Sequence, residues 1–194
     1  LILKETLVTV VDAPGHIDFA GDVASAVATC EGALLVVDVV EGVRVQTVAA
    51  LRAVSDLAPV LVLNKIDRLV KDDAFARLQR VLESVNAHAE TELFSPAKGN
   101  VVFASAKHGW GFTLPQIARL LAPKLKARKA LLTDVLFGDY ARVDDKIVKR
   151  TGKHRAARPL FDSLVLDAIF DDGVSLLRGD QPQPLRDFVP LARA

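Results

Sequence analysis

Three short polar stretches carry side chains suited to holding a phosphorylated ligand, and each follows a run of apolar residues. Asp12-Ala13-Pro14-Gly15-His16 comes after Leu7–Val11. A carboxylate in that place can meet a hydrated Mg²⁺, an ion that keeps several waters and takes few protein ligands. Gly15 has no Cβ, so its backbone N–H can approach a phosphate oxygen closely. His16 stands beside that point and could orient a water molecule. Taken alone, the pentapeptide also describes a Pro-Gly turn with an N-capping Asp.

Asn64-Lys65-Ile66-Asp67 follows Pro59–Leu63. An ionised Asp only accepts hydrogen bonds. Guanine presents two adjacent N–H donors on one edge, where adenine has an acceptor and a C–H. Asp67 could therefore select guanine, because the wrong base would leave buried polar groups unpaired. Asn64 can bond a base or tie neighbouring loops together, and the apolar stem of Lys65 can lie along a ring face. Ser105-Ala106-Lys107 follows Val101–Ala104; its backbone N–H groups could reach a base carbonyl, with Ser105 bracing the loop and Lys107 stacking. Either stretch alone also fits an ordinary polar loop. Together the three stand in order behind apolar runs, 52 residues from Asp12 to Asn64 and 41 from Asn64 to Ser105, which argues against coincidence.

The elements that must position them are legible from periodicity. Leu7–Val11, Ala33–Val37, Pro59–Leu63 and Val101–Ala104 are short, rich in β-branched residues and without alternation, as suits strands buried on both faces. Between them lie segments of helical spacing: Val23, Ala26 and Val27 after Asp18; Val48, Leu51, Val54 and Leu57 after Thr47; Phe75, Leu78, Val81, Leu82 and Val85 after Asp72 and Asp73. A further helix is expected from Leu114 and Pro115, burying Ile117, Leu120 and Leu121. Asp18, Thr47 and Asp72 are the expected N-caps. Strand–helix alternation predicts an α/β fold with a mostly parallel, doubly wound sheet, whose ligands sit beyond the carboxyl ends of the strands.

Residues 1–122 form the expected first unit and 123–194 an α+β extension to it. The extension opens with a charge imbalance: residues 123–158 hold eleven Lys and Arg against four Asp and Glu. Lys146, Lys149, Arg150, Lys153, Arg155 and Arg158 lie in one run without an acidic residue. Such a run either faces solvent as a hairpin or contacts RNA phosphates, a sequence-independent and salt-sensitive interaction. Leu160–Phe170 is expected to be helical, and Trp110 and Phe112 to pack rather than hold a ligand.

Composition narrows the class. The 194 residues are 51% hydrophobic with a formal charge of +1, which excludes a globally disordered chain and a nucleic-acid-coating protein. The single cysteine, Cys30, cannot form an internal disulfide; a reducing compartment and a small buried side chain are expected. No apolar run reaches the roughly 18 residues of a membrane span. The chain starts at Leu1 and has no Met, so it is expected to be part of something longer.

Asp-Ala-Pro-Gly-His at 12–16, Asp18-Phe19, Val-Val-Asp-Val-Val-Glu-Gly-Val at 36–43 with Gln46-Thr47, and Asn-Lys-Ile-Asp-Arg at 64–68 together resemble the G domain of translational GTPases of the elongation factor 2 branch. Gly99-Asn-Val-Val-Phe103, Ser105-Ala106 and Gly109-Trp-Gly-Phe112, followed by Leu136-Phe-Gly-Asp-Tyr140, are most similar to the elongation-factor-2-like members of large-ribosomal-subunit maturation. The resemblance implies a P-loop-NTPase-type G domain that hydrolyses GTP with Mg²⁺. It implies Mg²⁺ held through water by Asp12, γ-phosphate sensing at Gly15 with Ala13 and Pro14 among the GTP-binding residues, and a hydrolytic water positioned by His16 as the catalytic residue. Asn64, Lys65 and Asp67 would read guanine, with Ser105, Ala106 and Lys107 closing over the base.

The implied partners are the large subunit, through its RNA and stalk-base proteins, an anti-association factor to be released and a maturation cofactor protein. The implied setting is a cytoplasmic monomer away from membranes. Within the branch the alternative is an elongation factor 2 translocase; outside it, a nucleotide-independent ribosome-docking module. Two features depart from the branch: Leu69–Phe94 is shorter than the usual insertion there, and the closing segment is compressed to 183–192. No Gly-x-x-x-x-Gly-Lys-[Ser/Thr] occurs among the 194 residues. That loop grips the α- and β-phosphates, so the stretch by itself is expected to bind GTP weakly or not at all. The sheet is correspondingly expected to lack its first strand.

Overall fold

The computed structural model describes residues 2–3, 6–15, 20–89, 94–125, 128–144 and 146–171. Ile2–Leu3 (β1) and Thr6–Leu7 (β2) pair antiparallel as a two-residue ladder. Helix α1 covers Ala20–Val27, and Leu34–Asp38 forms β3. Val45–Ala53 (α2) leads to Val60–Asn64 (β4), and Ala74–Ala87 (α3) to Val101–Ser105 (β5). Trp110–Thr113 (β6) turns back along β5, and Leu114–Leu125 (α4) and Lys129–Leu136 (α5) follow. Tyr140–Val143 (β7) and Lys146–Lys149 (β8) form a separate antiparallel hairpin. The last described element winds as a π-turn over Asp162–Leu166 into Asp167–Asp171 (α6).

The central sheet has the order β3-β4-β5-β6, with the first three strands parallel and β6 antiparallel to β5. Register places Asp38 opposite Asn64, so the ends of β3 and β4 finish side by side. β5 is buried along its whole length, as its unbroken apolar run requires. On one face, Leu35, Val37, Leu61, Leu63, Val101 and Phe103 join α3 and α4 in a single core. The other face carries a smaller cluster of Val60, Val102 and Ala104.

The core does not break at residue 122. Leu132, Leu136, Leu160, Phe161 and Val165 belong to the same cluster as the sheet. Phe103 on β5 stands 5.1 Å from Phe161, 5.3 Å from Phe137 and 5.5 Å from Phe112, ring centre to ring centre. Phe75 at the start of α3 lies 5.1 Å from Phe137 and 5.7 Å from Phe161. These spacings are those of favourable aromatic pairs.

Several expectations need correction. Leu7–Val11 is not a strand of the parallel sheet: only Thr6–Leu7 is extended, paired with Ile2–Leu3, and residues 8–15 have no regular structure. A strand needs a hydrogen-bonded neighbour, and among the described residues the ladder with β1 ends at Leu7; Leu7 and Val10 are 75% and 72% exposed. Thr47 is not the cap of α2 but sits one turn inside it, its hydroxyl accepting the Arg44 N–H at 3.1 Å. Asp73, not Asp72, precedes α3, and Asp18 lies outside the described residues. Leu120 faces solvent, where inward packing was expected, and Cys30 is only half-buried. Among the described residues no helix is long and apolar enough to cross a membrane.

Asp162 is a buried carboxylate whose Oδ1 has no hydrogen-bond partner. Burial pushes its carboxyl above the usual range, outweighing the pull of Arg158, Arg150 and the Phe75 backbone N–H. The folded state therefore holds this proton more tightly than the unfolded chain. The group's contribution to stability is full below the ordinary carboxylate value and is lost as pH rises through the raised one. Asp162→Asn is expected to stabilise the fold at neutral pH by about 1 kcal/mol, the scale of one poorly satisfied buried polar group. The gain should vanish in acid, and urea titrations at pH 7 and pH 4 measure both.

Candidate functional site

The ends of β3, β4 and β5 bring three polar groups together at the carboxyl edge of the sheet. Asn64, the last residue of β4, accepts the Ala106 N–H on its Oδ1 at 2.9 Å. Its carbonyl accepts the N–H of Val39, so the side chain ties the loop after β5 while the backbone ties the loop after β3. Asp67 stands in a 3₁₀ turn, Ile66–Arg68, anchored by fully buried Ile66. Its Oδ1 accepts the Ser105 hydroxyl at 2.5 Å, and Ser105 is itself fully buried. The second oxygen, Oδ2, lies 3.8 Å from the His108 Nε2.

Ser105, Ala106 and Lys107 enter this cluster because of a hairpin that sequence periodicity did not reveal. β5 and β6 close in register from Ser105 opposite Trp110, leaving 106–109 as the loop. Its carbonyls at Ser105 and Ala106 accept the N–H groups of His108 and Gly109, and Gly109 takes φ of +67°. A side chain at that angle would be strained, so glycine suits the position. Ser105 is thus fixed by the sheet, while Ala106 and Lys107 remain exposed at the tip.

Lys65 also takes a left-handed backbone angle, φ +67° in a non-glycine residue. Its ammonium reaches across to the end of β3, where Nζ lies 2.5 Å from Asp38 Oδ2. Asp38 Oδ1 accepts the N–H groups of Val40 at 2.8 Å and Glu41 at 3.3 Å. Burial pushes the Asp38 carboxyl up, but Lys65 and the two N–H groups outweigh it and hold the acid below its usual value. Asp38 and His108 were not among the expected site residues. Asp38 could have been found from Val-Val-Asp closing the β3 run; His108 had no signal in sequence.

Among the described residues, the remaining expected ones show no tie to this cluster. Asp12, Ala13, Pro14 and Gly15 are exposed, and no hydrogen bond or ion pair among the described residues joins them to the cluster. His16 lies outside the described residues. No group of three or more metal-binding side chains occurs among the described residues. One exposed carboxylate, Asp12, is a donor set that fits only an ion supplied mainly by water and ligand oxygens, which is the habit of Mg²⁺.

The basic run divides into two kinds of side chain. Arg150 is a staple: Nε donates to the Ala157 carbonyl at 2.7 Å, Nη1 to Asp139 at 3.0 Å and Nη2 to the Arg155 carbonyl at 3.3 Å. Arg158 forks onto Asp167 at 2.8 and 3.0 Å, and Lys71 meets the same carboxylate at 3.2 Å. The Arg158 hydrogen bonds, helped by Lys71, hold the Asp167 carboxyl below its usual value despite partial burial. Lys146, Lys149, Lys153 and Arg155 are exposed, and none forms an ion pair among the described residues.

The cluster therefore offers a carboxylate braced by a buried hydroxyl, an amide tying two loops and a lysine stem held across the gap between them. Such a set can accept two adjacent N–H groups from a planar ring lying beside Lys65. Comparison with known proteins is consistent in kind. Residues 2–171 match the family model for the elongation factor Tu GTP binding domain. Ribosome assembly protein 1 of Saccharomyces cerevisiae is 38% identical over 87% of this chain and 19% of its own length. Elongation factor-like GTPase 1 of Mus musculus is 33% identical over 92% of the chain and 20% of its own. Ribosome assembly protein 1 of Schizosaccharomyces pombe is 38% identical over 89% and 21%. The chain thus spans about a fifth of the length of the curated relatives it matches.

Proposed function

The chain belongs to the elongation factor Tu GTP-binding domain family, and on that premise we propose that it is the base-reading part of a GTPase acting in ribosome assembly. The observation that carries the reading is the Ser105–Asp67–Asn64–Ala106 linkage, two hydrogen bonds of 2.5 and 2.9 Å joining the loops after β4 and β5. It holds one carboxylate in a fixed place beside these loops, as recognition of the guanine N1–H and exocyclic amine demands. The relatives named as ribosome assembly proteins and elongation factor-like GTPases support the setting.

In this reading Asn64, Lys65, Asp67, Ser105, Ala106 and Lys107 bind the base. Asp12 holds Mg²⁺ through water, Gly15 with Ala13 and Pro14 lies against the γ-phosphate, and His16 orients the attacking water. When bound, the ion neutralises charge on the phosphate oxygens. No phosphate-gripping loop motif occurs among the 194 residues, so hydrolysis is assigned to the full-length protein rather than to this stretch. Residues 1–122 form the G domain and 123–194 an extension that shares its core. The work done by hydrolysis is release of an anti-association factor from a late cytoplasmic large subunit, with a maturation cofactor protein taking part.

Lys146, Lys149, Lys153 and Arg155 are the surface for ribosomal RNA phosphates, while Arg150 and Arg158 hold the extension together. Two measurements on the full-length protein test the reading. Calorimetry should find GDP bound far more tightly than ADP; equal affinities would reject base reading. Changing all four exposed cations to Gln should reduce the slope of log affinity for large subunits against log salt by about 3, at roughly 0.7–0.9 per neutralised phosphate. An unchanged slope would make the run a solvated hairpin.

A further inference from the structure

The lysine that would lie against the base is not left to find its own position. Its backbone is left-handed, a conformation that strains a non-glycine residue. Glycine would remove that strain, so what the position retains is the side chain. A free lysine stem carries rotamer entropy, which a stacked geometry must overcome. Here the far end of the stem is held: Nζ meets Asp38 Oδ2 at 2.5 Å.

Asp38 is in turn fixed on every side the structure describes. It ends β3 in register with Asn64, so its Cα is set by the sheet. Its Oδ1 takes the N–H groups of Val40 and Glu41, and its carbonyl takes the N–H of Gly42 at 2.8 Å. Arg77 on α3 locks the same turn, Nε donating to the Val39 carbonyl at 2.8 Å and Nη2 to the Val40 carbonyl at 2.7 Å. The Lys65 side chain is 42% exposed and that of Asp38 18%, so a half-open stem runs to a sheltered anchor.

We infer that Asp38 is a positioning residue for nucleotide binding: it anchors the Lys65 ammonium so that the stem forms a preset platform for the purine ring. The inference rests on the base-reading role proposed above and deepens it by dividing the labour. Asp67 chooses guanine by its edge. Asp38 acts through Lys65 on the ring face, which is the same for every purine.

The division is testable in the full-length protein with GDP and IDP, which differ only in the exocyclic amine. Asp38→Asn keeps an oxygen for the Val40 and Glu41 N–H groups but removes the charge. It should weaken GDP and IDP alike, by about tenfold, as befits the loss of an ordered cation-bearing platform. The GDP/IDP affinity ratio should stay at its wild-type value. Lys65→Met should give the same loss, and the double variant no further loss, because both remove one interaction. If Asp38→Asn fails to fold, Asp38→Glu carries the test, with a smaller loss at an unchanged ratio. Unaltered affinities would overturn the inference. So would a collapsed GDP/IDP ratio, which would mean that Asp38 merely supports the base-reading loop, and so would additive losses in the double variant. A wild-type protein with no preference for GDP over IDP would remove the base-reading role itself and this inference with it.

Discussion

Asp67→Asn in the full-length protein is expected to weaken GDP binding by about 10²–10⁴-fold and to strengthen binding of xanthosine diphosphate. In the proposed reading the carboxylate offers two acceptor oxygens to two guanine N–H groups, and hydrogen bonds to a charged group contribute about 1.5–3 kcal/mol each. Asn presents an NH₂ where one of those oxygens stood, so a donor meets a donor across the exocyclic amine. Xanthine carries a carbonyl oxygen at that position and accepts from the same NH₂. The Ser105 hydroxyl can still donate to the Asn oxygen, so the loop after β5 should hold its place. Calorimetry with both nucleotides reads the exchange. Equal loss for both nucleotides would point to a disturbed loop rather than an altered edge.

The second large effect lies in the core. Phe161→Ala should destabilise the domain by about 3–5 kcal/mol, the usual result of emptying an aromatic site. Phe161 is fully buried and touches Phe75, Phe103 and Phe137, so one truncation opens a cavity between α3, β5 and the segment after α5. Native-state hydrogen exchange should show it as reduced protection in β5 and α3 as well as in the π-turn. If the loss stayed confined to residues beyond 122, the extension would be a separate folding unit.

Much of this arrangement is legible in the residues. The runs that became β4 and β5 were identifiable because burial on both faces leaves a nearly unbroken apolar signal, and α3 because Phe75, Leu78, Val81, Leu82 and Val85 keep one face inward. The β3 run departs from that expectation: Leu35 and Val37 are buried, but Leu34 and Val36 are exposed on the other face. The loops proposed to read the base stand directly behind those runs in sequence, which is what singled them out. What escaped was whatever depends on a partner. β6 is four residues with two aromatics and a glycine, and only its pairing with β5 makes it a strand. Leu7–Val11 has the composition of a strand, yet composition cannot supply the neighbour that a strand needs. α5 lies in a basic stretch, and only with the core in view is it clear that Leu132, Val135 and Leu136 face inward while Leu131 faces out.

The chemistry divides similarly. An acid such as Asp67 suggests an edge reader once its stretch is seen in order with two others behind apolar runs. That Asp38 holds Lys65, or that Arg150 and Arg158 hold the fold rather than face outward, depends on distances between segments far apart in sequence. Six basic residues in one run look alike as letters; four stand free of ion pairs among the described residues and two do not.

The most direct test is a crystal structure of the full-length protein with GDP bound. The account predicts the guanine N1 and exocyclic amine within about 3 Å of the Asp67 carboxylate, the Lys65 stem across the ring and the phosphates toward Asp12–Gly15. Density for the base away from Asp67, or phosphates leading away from residues 12–15, would contradict it.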